Sequence, residues 1–99
     1  MINTDKILHD AALYLGLIAR LIDDGAPLES VSKQLREVNV SLDDALVSDL
    51  TDEQDKELDR LYSVCRALEK AAFSAKKHWR SAYLWVSHPR YGWVIVKFT

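Results

Sequence analysis

From Leu58 to Trp79 the apolar residues fall at alternating intervals of three and four: Leu58, Leu61, Cys65, Leu68, Ala72, Ala75 and Trp79. That period keeps one face of an α-helix apolar along its whole length. Thr51-Asp52-Glu53-Gln54 opens the segment as a capping box, with Thr51 at the N-cap and Gln54 three residues on. Acids crowd its first turns and bases its last, in agreement with the helix dipole. The pattern predicts a helix over about 52–80. At ~1.5 Å per residue it would be ~43 Å long, so its C-terminal end is expected to project or to pair with another chain.

Two further segments carry the same kind of period. The first runs over about 4–24, with Thr4 as the expected N-cap and Gly25 and Pro27 as the stop. Its apolar residues cover well over half of the circumference, and His9, Gly16 and Arg20, with Asp5 and Asp23, form a narrow polar strip. Such a face is wider than a small bundle hides, so self-association as a homodimer is expected. The second segment covers about 27–50, with Pro27 suited to the first helical position. Leu28, Val31, Leu35, Val38, Leu42 and Ala45 make a heptad-like seam. Val38-Asn39-Val40-Ser41 is poor helix material, and a kink near 39–41 is expected there.

The tail changes character. Ala82-Tyr83-Leu84-Trp85-Val86 and Trp93-Val94-Ile95-Val96-Lys97-Phe98 are β-rich, and the residues between them include Pro89 and Gly92. This is a hairpin signal over about 82–98. Both faces of both strands are apolar or aromatic, and a lone hairpin is marginal in water. It must therefore pack on the helices, pair with a second copy or extend a partner's sheet. The expected fold is mainly α (α+β): an antiparallel three-helix bundle with a C-terminal β-hairpin, one domain over 1–99. The alternative carries the third helix through Val86 and leaves a single short strand.

Charge is distributed as unevenly as the aromatics. Residues 1–65 hold 14 acids and 6 bases, whereas residues 66–99 hold 1 acid and 7 bases, so the net charge of −2 hides a formal −8 and +6. Seven of the nine aromatics lie after residue 66. Asymmetry of this kind points to a charged partner. The acidic candidate is Asp43, Asp44, Asp49, Asp52, Glu53, Asp55, Glu57 and Asp59, eight acids in seventeen residues opposed by Lys56 alone. It reads either as a solvated helix start or as a ridge for a protein with a basic surface. The run lacks the alternating ligands and central Gly of a calcium-binding loop.

The basic candidate is Lys76, Lys77, Arg80 and Arg90 among Trp85, Tyr91 and Trp93. Cations mixed with stacking aromatics are found in single-strand binders, whereas core or interface packing explains the same aromatics more simply. An acidic net charge disfavours a nucleic-acid role.

Catalytic signals are missing. The sequence has no Gly-rich phosphate loop, GxSxG or HExxH, and no cofactor motif. His9, His78 and His88 have no i, i+4 partner and read as surface or turn residues. Cys65 lies on the apolar seam, where a thiol packs as a small hydrophobe. One cysteine, no basic signal-peptide start and no unbroken apolar run of ~20 residues fit a cytoplasmic protein without a membrane anchor. The expected function is that of a small non-enzymatic regulatory or inhibitory protein. It would act by protein–protein interaction, through the acidic ridge or the aromatic hairpin, with nucleic-acid binding by the C-terminal third as the alternative.

Overall fold

A computed structural model describes residues 3–74, 79–81 and 83–97. Three helices, α1 (Thr4–Asp23), α2 (Leu28–Leu46) and α3 (Asp52–Ser74), are followed by a short 3-10 turn at Trp79–Ser81. Strands β1 (Leu84–His88) and β2 (Gly92–Val96) then form an antiparallel hairpin in which Leu84 faces Val96 and His88 faces Gly92. The chain is mainly α with a small β-hairpin.

Each helix packs on the other two. Their shared core contains Leu8, Leu15 and Ile18 of α1, Val31, Leu35 and Leu42 of α2, and Leu58, Leu61, Tyr62 and Leu68 of α3. The seams read from spacing are therefore largely the buried faces, although Leu28 is 40% exposed, Ala72 is half-buried and Ala75 lies outside the described residues. The hairpin adds a second, smaller cluster, in which Leu84 and Val86 sit against Ala67 with Val94 and Val96 alongside. Ala67 lies beside the 3-4 seam of α3, and a small side chain there lets β1 approach the helix closely.

The helix ends show where local chemistry decides. The N-cap of α1 is Asn3 rather than Thr4: its side-chain oxygen accepts from the Lys6 N–H at 3.2 Å. Thr4 is already helical and buried, and its hydroxyl shares a hydrogen bond with that of Ser48 at 3.1 Å. The far end of α1 is a Schellman motif, with Ala26 N–H bonded to the Leu21 carbonyl and Gly25 N–H to that of Ile22. Gly25 takes the left-handed φ of +77° that this motif requires. The capping box of α3 forms as expected, since Thr51 Oγ1 accepts from Gln54 N–H at 3.1 Å and Gln54 Oε1 from Thr51 N–H at 3.0 Å.

Further boundaries depart from expectation, with α2 ending at Leu46 rather than about 50. Pro27 is the N-cap of α2, one position before the first helical residue. The second segment forms one helix, since α2 runs unbroken from Leu28 to Leu46. Burial of Val38 and Leu42 outweighs the few tenths of a kcal/mol that β-branched residues and Asn each cost a helix. Ser41 keeps its hydroxyl within the helix by donating to the Glu37 carbonyl at 3.3 Å. The third helix is described as far as Ser74, the expected stretch over 75–78 lies outside the described residues, and Trp79–Ser81 is a 3-10 turn. The alternative helix through Val86 is overturned, since Leu84–His88 is a strand.

Candidate functional site

Strand alternation sorts the hairpin into two faces. Leu84, Val86 and His88 point into the protein, while Trp85 and Ser87 point out beside Trp93 and Ile95 of β2. His88 is not the surface residue expected from its place before Pro89; it is only 3% exposed. Its ring meets Tyr62 edge-on at 5.9 Å and stacks on Tyr91 at 4.7 Å. Nδ1 accepts the Arg90 N–H at 3.0 Å, which places the imidazole proton on Nε2, 3.2 Å from the Asp59 carbonyl.

These contacts bring the two candidate surfaces together. The hairpin tip lies against the acidic first turns of α3. Arg90 donates from Nη1 to Asp55 at 2.6 Å and to Asp59 at 3.2 Å. The Tyr91 hydroxyl donates to Asp59 at 2.7 Å, and this bond holds the phenol above its ordinary pKa. The ridge is therefore opposed in its middle by the chain's own Arg90, not by Lys56 alone. Asp43 accepts from the buried Tyr62 hydroxyl at 2.6 Å; burial, and next this bond, push the Tyr62 pKa well up. Glu57 is paired with Arg60 at 2.6 Å, and the hydrogen bonds from Arg60 lower its pKa. Asp44, Asp49, Asp52 and Glu53 are exposed and have no side-chain partner among the described residues.

The basic set is divided as well. Arg80 donates to Asp23 Oδ2 at 2.9 and 2.7 Å and lies over the Trp79 ring at 4.5 Å. The Trp79 indole N–H donates to the other oxygen of Asp23 at 3.1 Å. Asp23 thus ties the end of α1 to the turn after α3, a link that no local pattern announces. Lys76 and Lys77 lie outside the described residues. Arg90 and Tyr91 belong to the tip described above, so Trp85 and Trp93 are what remains of this set on the open face.

That face gathers several exposed apolar side chains. Trp85 is 52% exposed, Trp93 69% and Ile95 52%, with Tyr83 and Phe73 also exposed nearby. A cleft of about 340 Å³ runs between the two tryptophans and the end of α3, lined also by Arg66, Lys70 and Phe73. Lys70 donates to the Trp85 carbonyl at 2.7 Å and so anchors the strand to the helix. Arg66 was not among the residues picked out from the sequence, although Lys70 and Phe73 belong to its basic and aromatic C-terminal third. Their i, i+4 and i+7 spacing on α3 was the available signal.

No family model matches this chain, and no curated protein or solved structure matches it significantly. Among the described residues, no cluster of His, Cys, Asp or Glu is arranged to hold a metal ion. No described helix is long and apolar enough to cross a membrane.

Proposed function

We propose that this is a small non-enzymatic regulatory or inhibitory protein that binds another protein through the outer face of its C-terminal hairpin. The observation that carries the reading is the juxtaposition of Trp85, Trp93 and Ile95, each more than half exposed on one face of a two-stranded sheet. Contiguous apolar patches are unusual on proteins without a partner, and tryptophan is the residue most enriched at interface hot spots. The inner face already supplies the burial that holds the hairpin down, so the outer aromatics are not needed for that purpose.

The acidic ridge is the weaker docking surface. Asp43, Asp55, Glu57 and Asp59 already have partners within the chain. Nucleic-acid binding loses support for the same reason, because Arg80 and Arg90 are held by the protein's own carboxylates. Self-association, if it accompanies docking, would use Leu13 and Leu17, which stand one turn apart on α1 at 60% and 56% exposure.

The test is affinity capture from source-cell lysate with the wild-type chain, Trp85→Ser/Trp93→Ser and Asp52→Lys/Glu53→Lys as baits. The expected result is a captured protein lost with the tryptophan variant and retained with the acid variant. Capture that ignores Trp85 and Trp93 would remove the hairpin face from the reading.

A further inference from the structure

The hairpin groove does not end at the sheet. A second cleft of about 350 Å³ adjoins it, and both are lined by Arg66, Glu69 and Phe73. The second cleft continues over α2, where Arg36, Asn39 and Ser32 line it. One groove therefore leads from the tryptophans to a polar floor between α2 and α3.

Two polar atoms of that floor are buried without a hydrogen-bond partner: Arg66 Nε, a donor, and Asn39 Oδ1, an acceptor. The Asn39 orientation follows from its other end, since Nδ2 donates to Asp43 at 3.3 Å and leaves the carbonyl oxygen free. Arg66 meets Glu69 only through Nη1 at 3.7 Å, beyond hydrogen-bond length. Both unpartnered atoms are sealed from solvent, but the Arg66 side chain is 37% exposed, so a ligand in the groove would meet its outer guanidinium. The charge around the groove is still positive: Arg36, Arg66 and Lys70 stand against Glu69 of the lining and Asp43 behind Asn39.

We propose that the groove receives an extended acidic segment of the partner protein. A carboxylate of that segment would seat against the outer guanidinium of Arg66 and against Arg36, and apolar side chains would lie across Trp85, Trp93 and Phe73. The inference rests on the docking reading above and names what docks. A guanidinium offers a planar fork that matches a carboxylate. An extended peptide supplies acceptor and apolar group within a few residues. A single nucleic-acid strand would carry its phosphates past Glu69 and Asp43 as well as past the arginines.

The experiment is selection of a random peptide library on the immobilised full-length chain, followed by titration of one selected peptide. Selected peptides are expected to carry Asp or Glu close to Trp, Phe or Leu. Affinity should fall roughly tenfold with Arg66→Gln and also with the exposed Arg36→Gln. It should be lost with Trp85→Ser/Trp93→Ser and weaken as salt rises. Circular dichroism of each variant separates lost binding from lost fold. Peptides that need the tryptophans but show no acidic bias, and that bind both arginine variants unchanged, would overturn the acidic segment and leave the docking face standing. No enrichment, or binding indifferent to Trp85 and Trp93, would remove both. A labelled oligothymidylate that binds the wild type and competes with the selected peptide in an Arg66-dependent way would assign the groove to nucleic acid and overturn the proposal.

Discussion

Arg90 donates to Asp55 at 2.6 Å across a sequence separation of 35 residues, and this pair joins the basic end of the chain to its acidic middle. The tip of the hairpin is thereby seated on the N-terminal turns of α3. Next to the pair, buried His88 is bonded to the carbonyl of Asp59. The opposite charges of the two halves are thus partly satisfied within the molecule.

Removing Arg90 should loosen the tip more than the bundle. Its ion pairs are partly exposed, so Arg90→Ala is expected to cost only about 0.5–1 kcal/mol after solvent screening. Amide hydrogen exchange should rise at residues 84–96 while the cores of α1 and α2 stay protected. His88→Leu should cost more, about 1–3 kcal/mol, because it leaves the part-buried Arg90 N–H without its acceptor, although the Asp59 carbonyl keeps the Ser63 hydroxyl. Urea melts of the two variants check the order; an Arg90 effect larger than that of His88 would contradict it.

The capping box gives a purely local prediction. Thr51→Ala removes the acceptor for the Gln54 N–H and should lower stability by about 1 kcal/mol in a denaturant melt. Gln54→Ala should do less, since the Thr51 N–H is exposed and water replaces its partner.

Alkali should destabilise the fold through two buried groups. Burial pushes the Cys65 thiol from its ordinary 9.0 up to about 11, and burial with the Asp43 bond pushes the Tyr62 phenol up as well. Between pH 9 and 11 the unfolded thiol has lost its proton while the folded one keeps it, so stability is complete below this window and declines as pH rises through it. The cysteine contribution is about 2 kcal/mol at the upper end. Denaturant midpoints measured from pH 7 upward should fall less steeply for Cys65→Ala than for the wild type. Equal slopes would show that the thiol titrates alike in both states.

Tryptophan emission should resolve the two faces of the molecule. Trp79 is buried, whereas Trp85 and Trp93 are exposed, so acrylamide should quench the wild type in two phases. In Trp85→Ser/Trp93→Ser only the shielded phase should remain. That variant should melt within about 0.5 kcal/mol of the wild type, as expected for exposed positions without structural partners. A large loss of stability would mean that the outer face helps to hold the hairpin.

Much of the architecture was legible from residue spacing. The 3-4 seams of α2 and α3 mark the buried faces, and Gly25 and the Thr51–Gln54 box mark helix ends, because these signals act over one or two turns. The second segment stays one helix through Val38–Ser41 for a reason of scale: a few unfavourable propensities are smaller than the burial of Val38 and Leu42. Trp85 and Trp93 stood out as candidates, but not which face of the hairpin they would occupy.

That choice depended on contacts distant in sequence. With both strand faces apolar, alternation alone gives no preferred side. The small Ala67 on α3 admits Leu84 and Val86, and the Asp59 carbonyl receives His88, so the larger tryptophans face outward. The Asp23 bridge to Trp79 and Arg80 and the seating of Arg90 on Asp55 and Asp59 are likewise tertiary. By itself the sequence determined three amphipathic helices, their seams, several of their ends and a β-rich tail, since each is set by the period and chemistry of neighbouring residues. Which charges pair and which aromatics stay in solvent was decided only when the hairpin packed on α3, because those interactions join residues that are neighbours in space alone.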